Sequence, residues 1–124
     1  METKPVYLNG KWVTGDSSIE VNNPATGEII ASVSTVGRDT VRQAIADAQA
    51  AFEPWRKLTA TQRADILMAW AEAMTQRFDE IARIITMENG KALAQSEGEL
   101  KLTIDQIRWF AEEGRRAYGR IVPN

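Results

Sequence analysis

Gly90 is the residue that most limits how this chain folds. It closes one apolar-periodic segment and precedes another, in the run Met87-Glu88-Asn89-Gly90-Lys91. Glycine alone takes a positive φ without a clash between Cβ and backbone, so a glycine here reads as a left-handed helix cap. The predicted consequence is a reversal at this joint that stacks the last helix against the earlier ones.

The segments on either side carry a helical period. From Gly37, the residues Val41, Ile45, Ala48 and Phe52 recur on one face, with Arg42, Gln43, Asp47 and Gln49 elsewhere on the circumference. Glu53-Pro54 is predicted to end this helix, because the residue before proline is pushed out of the α region. Trp55 and Leu58 then pack in the connection. Thr59-Ala60-Thr61-Gln62 is a capping box, and the helix it starts carries Ile66, Leu67, Trp70 and Met74 on one face. After a slight break, Arg77 to Met87 continues with Phe78, Ile81, Ile84 and Ile85. The last helix is predicted from Leu93 to Tyr118, about 40 Å at ~1.5 Å per residue. Its stripe is Leu100, Ile104, Ile107, Ala111, Gly114 and Tyr118. Gly98 and Gly114 each cost about 1 kcal/mol against Ala, and mark either close approach by another element or simple tolerance. Glu97 with Lys101, and Glu112 with Arg116, have the favourable i, i+4 spacing. Arg115, Arg116 and Arg120 suit the negative end of the helix dipole and read as a solvated face or a binding patch.

Residues 1–36 read as strands. Asn9-Gly10 between Tyr7-Leu8 and Lys11-Trp12-Val13 is a hairpin signal. Asn23-Pro24-Ala25-Thr26-Gly27-Glu28 predicts a second reversal between Ile19–Asn22 and Ile29–Val33, with Pro24 fixing φ and Gly27 supplying the permissive position. The fold class is α+β and mainly helical, with about four helices packing together and one or two N-terminal hairpins along an edge. Residues 37–120 hold the helices. Residues 121–124, Ile-Val-Pro-Asn, read as the cut-off start of a further strand. Such short strands need another partner to be stable.

Composition narrows the chemistry. The 124 residues are 44% hydrophobic and 26% charged, an ordinary balance for one globular domain. A net charge of −2 argues against nucleic acid or an anionic membrane as partner. No apolar run is long enough for a bilayer, and Met-Glu-Thr-Lys-Pro-Val-Tyr lacks a signal-peptide layout, so the cytoplasm is the expected location. The chain has no Cys and no His, which removes thiolate nucleophiles, Ser-His bases and most zinc ligation. No phosphate-binding glycine loop occurs. The acidic clusters Asp79-Glu80, Glu97/Glu99 and Glu112-Glu113 read as solvated helix faces, and Lys91 in a connecting loop lacks the burial that would make it a reactive amine. Trp55, Trp70 and Trp109 lie on or beside apolar stripes, as packing residues do.

Five motifs in order resemble a known family: Tyr7-Leu8-Asn9-Gly10-Lys11-Trp12-Val13, Asn23-Pro24-Ala25-Thr26-Gly27-Glu28, Glu88-Asn89-Gly90-Lys91, Trp109-Phe110-Ala111-Glu112-Glu113 and Ile121-Val122-Pro123. Together they are similar to the N-terminal part of the NAD(P)-dependent aldehyde dehydrogenases, most of all the succinate-semialdehyde dehydrogenase branch. The resemblance implies oxidation of an aldehyde to an acid, with the family's Cys nucleophile, Glu base, Asn oxyanion donor and NAD or NADP site all downstream of residue 124. It therefore implies no catalytic residue in this chain and no cofactor bound by it. The partner implied is the remainder of a dehydrogenase or another subunit, with self-association possible. Some members of the family bind a structural monovalent cation, and the matching positions here are Val21, Asn22 and Glu88, supplying oxygen ligands. The alternative for Glu88 is a turn cap or an ion pair. A different class of function, a non-catalytic helical module that binds a partner through apolar helix faces, stays open, and a carboxylate-based hydrolase ranks far behind.

Overall fold

A computed structural model describes residues 3–120 and 122. The N-terminal part forms five strands. β1 (Thr3–Lys4), β4 (Ser17–Asn22) and β5 (Ile29–Thr35) make one sheet in the order β1-β5-β4. β2 (Val6–Leu8) and β3 (Lys11–Val13) make a separate two-stranded ribbon.

Both predicted hairpins are present. Asn9 (φ 46°) and Gly10 (φ 78°) both take positive φ, the pairing that gives a two-residue turn the twist of its flanking strands. In the second hairpin the Asn23 carbonyl accepts from the Gly27 N–H at 2.7 Å, and Asn23 Oδ1 accepts from the Ala25 N–H at 2.9 Å. That proline-led turn joins β4 to β5 antiparallel, with a register irregularity between Val21 and Asn22. The further partner these strands require is β1, which pairs parallel with β5 through Thr3↔Ser32 and Lys4↔Val33.

Four helices follow: α1 (Arg38–Lys57), α2 (Ala60–Gln76), α3 (Phe78–Asn89) and α4 (Leu93–Gly114). The expected end of α1 at Glu53 is corrected, because the helix runs through Pro54 to Lys57. Proline in the last turn forfeits a single backbone bond. Arg56 Nε donates to both Glu53 carboxylate oxygens at 3.0 Å, and the Leu58 N–H closes the turn on Trp55 O at 3.1 Å. The capping box of α2 forms as expected, with Gln62 N–H donating to Thr59 Oγ1 at 3.2 Å and Thr59 N–H to Gln62 Oε1 at 2.9 Å. Arg77 (φ −110°, ψ 22°) breaks α2 from α3, and Gly90 (φ 81°) caps α3 in the left-handed conformation.

α4 stops at Gly114, one turn short of the predicted Tyr118, which is 84% exposed and has no packing to hold it in a helix. A Cβ added at Gly98 or Gly114 meets nothing within 4 Å, so tolerance is the reading that fits both glycines here.

The core lies where α4 packs along α2 and α3. Ala71, Ala82, Leu100 and Ile104 are its buried centre, flanked by Met74, Phe78, Ile81, Ile85, Leu93 and Ile107. Small residues at the contact let helix axes approach closely. Ser96 is fully buried between α3 and α4, its hydroxyl 2.8 Å from that of Thr86. Arg108 of α4 and Arg115 just past its end tie it to α2 at the surface: Arg115 donates to Asp65 at 2.9 Å and Arg108 to Thr75 Oγ1 at 3.2 Å. α1 departs from the expected four-helix packing, since none of its residues is buried. The further strand expected at Ile121-Val122-Pro123 falls, apart from Val122, outside the described residues.

Candidate functional site

The site with most structure behind it is the junction of the Gly90 joint with the β4–β5 turn. A Cβ built on Gly90 would lie 2.7 Å from Pro24 Cγ and 3.8 Å from the Ala25 nitrogen. Helix α3 therefore ends directly on the proline turn, and the left-handed glycine is the device that permits both the reversal and the contact. Two motifs far apart in sequence thus meet through one proline ring.

Beside this contact, Glu88 lines a cavity of about 260 Å³ with Lys4, Ile30, Ala31, Val33, Ile84 and Met87. Val21 is half-buried on β4 and pairs across the sheet with Ala31, which forms part of the cavity wall. Asn22 is exposed and pairs with Ile29 at the register irregularity. Val21 and Asn22 thus pair with β5, and Ile30, Ala31 and Val33 of β5 line the cavity with Glu88. The residue this irregularity leaves outside the ladder is Ile30 of β5, since Val21 and Asn22 both have partners. Among the described residues, no group of three or more carboxylate, His or Cys side chains is placed to hold a metal, and Glu88 forms no ion pair. The ionisable groups that line the cavity are one carboxylate, Glu88, and one amine, Lys4.

In each of the other acidic clusters one carboxylate is paired with a cation. Glu80 receives two bonds from Arg77, at 2.6 and 2.9 Å. The Arg77 hydrogen bonds hold the Glu80 carboxyl below its usual range and raise the guanidinium. Glu113 takes Arg116 at 2.8 Å, and that bond raises Arg116 likewise. The expected i, i+4 pairs Glu97–Lys101 and Glu112–Arg116 are corrected: Glu99 pairs with Lys91 across the joint, and Arg116 turns to Glu113 at i, i+3. The carboxylates of these pairs are about half exposed, as solvated faces are, and the Lys91 amine is spent on its partner. Of the basic C-terminal group, Arg115 and Arg116 are engaged internally rather than presented as a patch.

Sequence reasoning missed Gly15. A Cβ there would sit 2.0 Å from the Thr35 carbonyl oxygen, so only glycine lets the chain cross the end of β5, where Asp16 N–H bonds that same oxygen at 3.0 Å. Nothing local distinguishes Gly15 from a loop glycine, because its neighbour is a strand residue twenty positions on.

No helix of the described residues is long and apolar enough to cross a membrane. Known proteins extend the reading. A model of the aldehyde dehydrogenase family matches residues 12–124. The glutarate-semialdehyde dehydrogenase of Pseudomonas aeruginosa is 44% identical over 119 residues, which is 94% of this chain and 25% of that protein. The NADP-dependent succinate-semialdehyde dehydrogenase of Escherichia coli is 43% identical over 118 residues, 94% of this chain and 24% of its own length. The crystal structure of the succinate-semialdehyde dehydrogenase of Burkholderia pseudomallei superposes with a TM-score of 0.92 at 40% identity, covering 98% of this chain and 26% of that one. This chain thus spans about a quarter of the length of the relatives it matches, as their N-terminal part. None of these matches supports the non-catalytic interaction module. On the family match along nearly its whole length and the superposition of its fold, the chain belongs to the aldehyde dehydrogenase family.

Proposed function

We propose that this chain is the N-terminal scaffold of an NAD(P)-dependent semialdehyde dehydrogenase. The enzyme as a whole would oxidise a short aldehyde that carries a carboxylate, such as succinate or glutarate semialdehyde, to the dicarboxylic acid. The observation that carries this reading is a fold match at TM-score 0.92 and 40% identity to a quarter of such an enzyme. The chain's own chemistry agrees, since it contains no Cys or His and its paired carboxylates are bound to arginines and a lysine at the surface. Its contribution is mechanical: a helical core, two hairpins and the joint that locks them together.

The test has two arms. The 124-residue chain alone, given succinate or glutarate semialdehyde with NAD or NADP, is expected to form no reduced nicotinamide. A chimera in which it replaces the N-terminal quarter of the Escherichia coli relative is expected to oxidise both aldehydes or one of them. Turnover by the isolated chain overturns the scaffold role, and an assembled but inert chimera overturns the assignment of activity.

Within this reading, oxygens of Val21 and Asn22 and the carboxylate of Glu88 are the ligands we propose for a monovalent cation. Hard oxygen donors carrying one net charge suit such an ion. The thermal midpoint of the chimera should rise in potassium or sodium salt over tetramethylammonium salt at equal ionic strength, and Glu88→Gln should abolish the difference. A midpoint indifferent to the cation leaves Glu88 as a residue of the turn.

A further inference from the structure

We infer that the outward apolar stripe of α1 is a docking surface for the part of the dehydrogenase that lies beyond the matched quarter, whether continuous with this chain or supplied as a separate polypeptide. This inference rests on the proposed function. Its basis is a mismatch between where α1 is apolar and where it is covered. Thr40, Ala44 and Asp47, one of them charged, are the residues of α1 that the chain half-buries. Val41, Ile45 and Phe52 share a stripe set roughly a third of a turn away, at ~100° per residue. They remain 45%, 64% and 52% exposed, and Trp55 continues the stripe at the C-terminal end.

A 20-residue helix with no buried residue lacks the packed apolar face from which most helical stability in proteins comes. A contiguous apolar stripe of this kind on a soluble chain marks an interface. The occupant is indicated by length, since the relatives that share this fold are about four times as long as the chain. A lipid surface fits less well. The four basic residues of α1 are offset by Asp39, Asp47 and Glu53, whereas helices lying on membranes carry a strongly basic polar face.

The absence of Cys from the chain makes a direct test possible, because Ile45→Cys introduces its only thiol. In the isolated chain this thiol should react with a maleimide as fast as an exposed model thiol. In the chimera described above, labelling of the same peptide, read by mass spectrometry, should slow by roughly tenfold or more, as burial behind a packed face requires. Phe52→Cys gives a second probe on the same stripe should the first variant fail to fold. Unchanged rates in a chimera that oxidises semialdehyde overturn the docking surface while the assigned activity stands. Protection in a chimera that is inert does the reverse. Slow labelling of the isolated chain that speeds up on dilution shows a second copy on the stripe and overturns the inference. If the chimera does not assemble, the labelled chain is mixed with the relative's remaining three quarters expressed alone, and absence of protection there overturns it as well.

Discussion

Ile104→Ala is expected to cost about 2–5 kcal/mol, the range for deleting a large aliphatic side chain from a packed core. Ile104 is 4% exposed, and among the described residues only it and Leu100 are buried hydrophobic side chains larger than a methyl group. The others at the centre, Ala71 and Ala82, line the helix contact with methyls that cannot swing in to fill a void. The cavity should therefore stay open, placing the cost towards the upper half of the range. Against a typical total of about 5–15 kcal/mol for a folded domain, that loss is a large fraction. Urea denaturation followed by far-ultraviolet circular dichroism should show the midpoint falling at unchanged slope. Leu102→Ala, on the opposite face of α4 and 59% exposed, is the control and should change stability by no more than about 0.5 kcal/mol. Equal effects at the two positions would mean that the core is not at the α2–α3–α4 contact.

Gly90→Ala combines two penalties at one residue. At φ 81° any residue with a Cβ pays about 1–2 kcal/mol for the left-handed conformation. The new methyl would also stand 2.7 Å from Pro24 Cγ, and a proline ring cannot rotate aside as a flexible side chain would. Overpacking of this kind adds about 1–3 kcal/mol. Gly27→Ala separates the two terms, because Gly27 has φ 76° and open space around its Cβ position. It should show the conformational cost alone, so the difference between the two variants measures the contact of the joint with the proline turn. In Gly90→Ala/Pro24→Ala the contact penalty should largely vanish, a coupling readable by a double-mutant cycle. Additive effects would show that the α3 terminus and the β4–β5 turn do not touch. That outcome would also separate Glu88 from Val21 and Asn22 and remove the basis of the proposed cation site.

Much of this architecture was legible in local sequence because it depends on local physics. Asn9-Gly10 makes its turn from two residues that tolerate positive φ, and Thr59 with Gln62 satisfies backbone donors three positions apart. Gly90 takes the left-handed cap that its place between two apolar-periodic segments demands. Leu100, Ile104, Ile107 and Ala111 share a stripe, and that stripe is the one α4 buries or half-buries. The family likewise rests on short motifs, each formed by neighbours in the chain.

What was not legible depends on which residues meet. Pro54 reads as a stop, yet its place in a last turn that Glu53 and Arg56 brace carries the helix three residues further. Ile66 and Trp70 share the apolar character of Leu67 and Met74, but α4 approaches α2 from the side of Ala64 and Ala71 and leaves Ile66 and Trp70 outside. The same holds for α1, whose apolar stripe is plain in the sequence although nothing local says whether this chain covers it. Gly15 against Thr35 and Gly90 against Pro24 are contacts of closest approach, and only the folded path reveals them. Periodicity and capping act over one turn and are written in consecutive residues. Burial is a property of the partner, and the partner is chosen by the whole chain or lies beyond it.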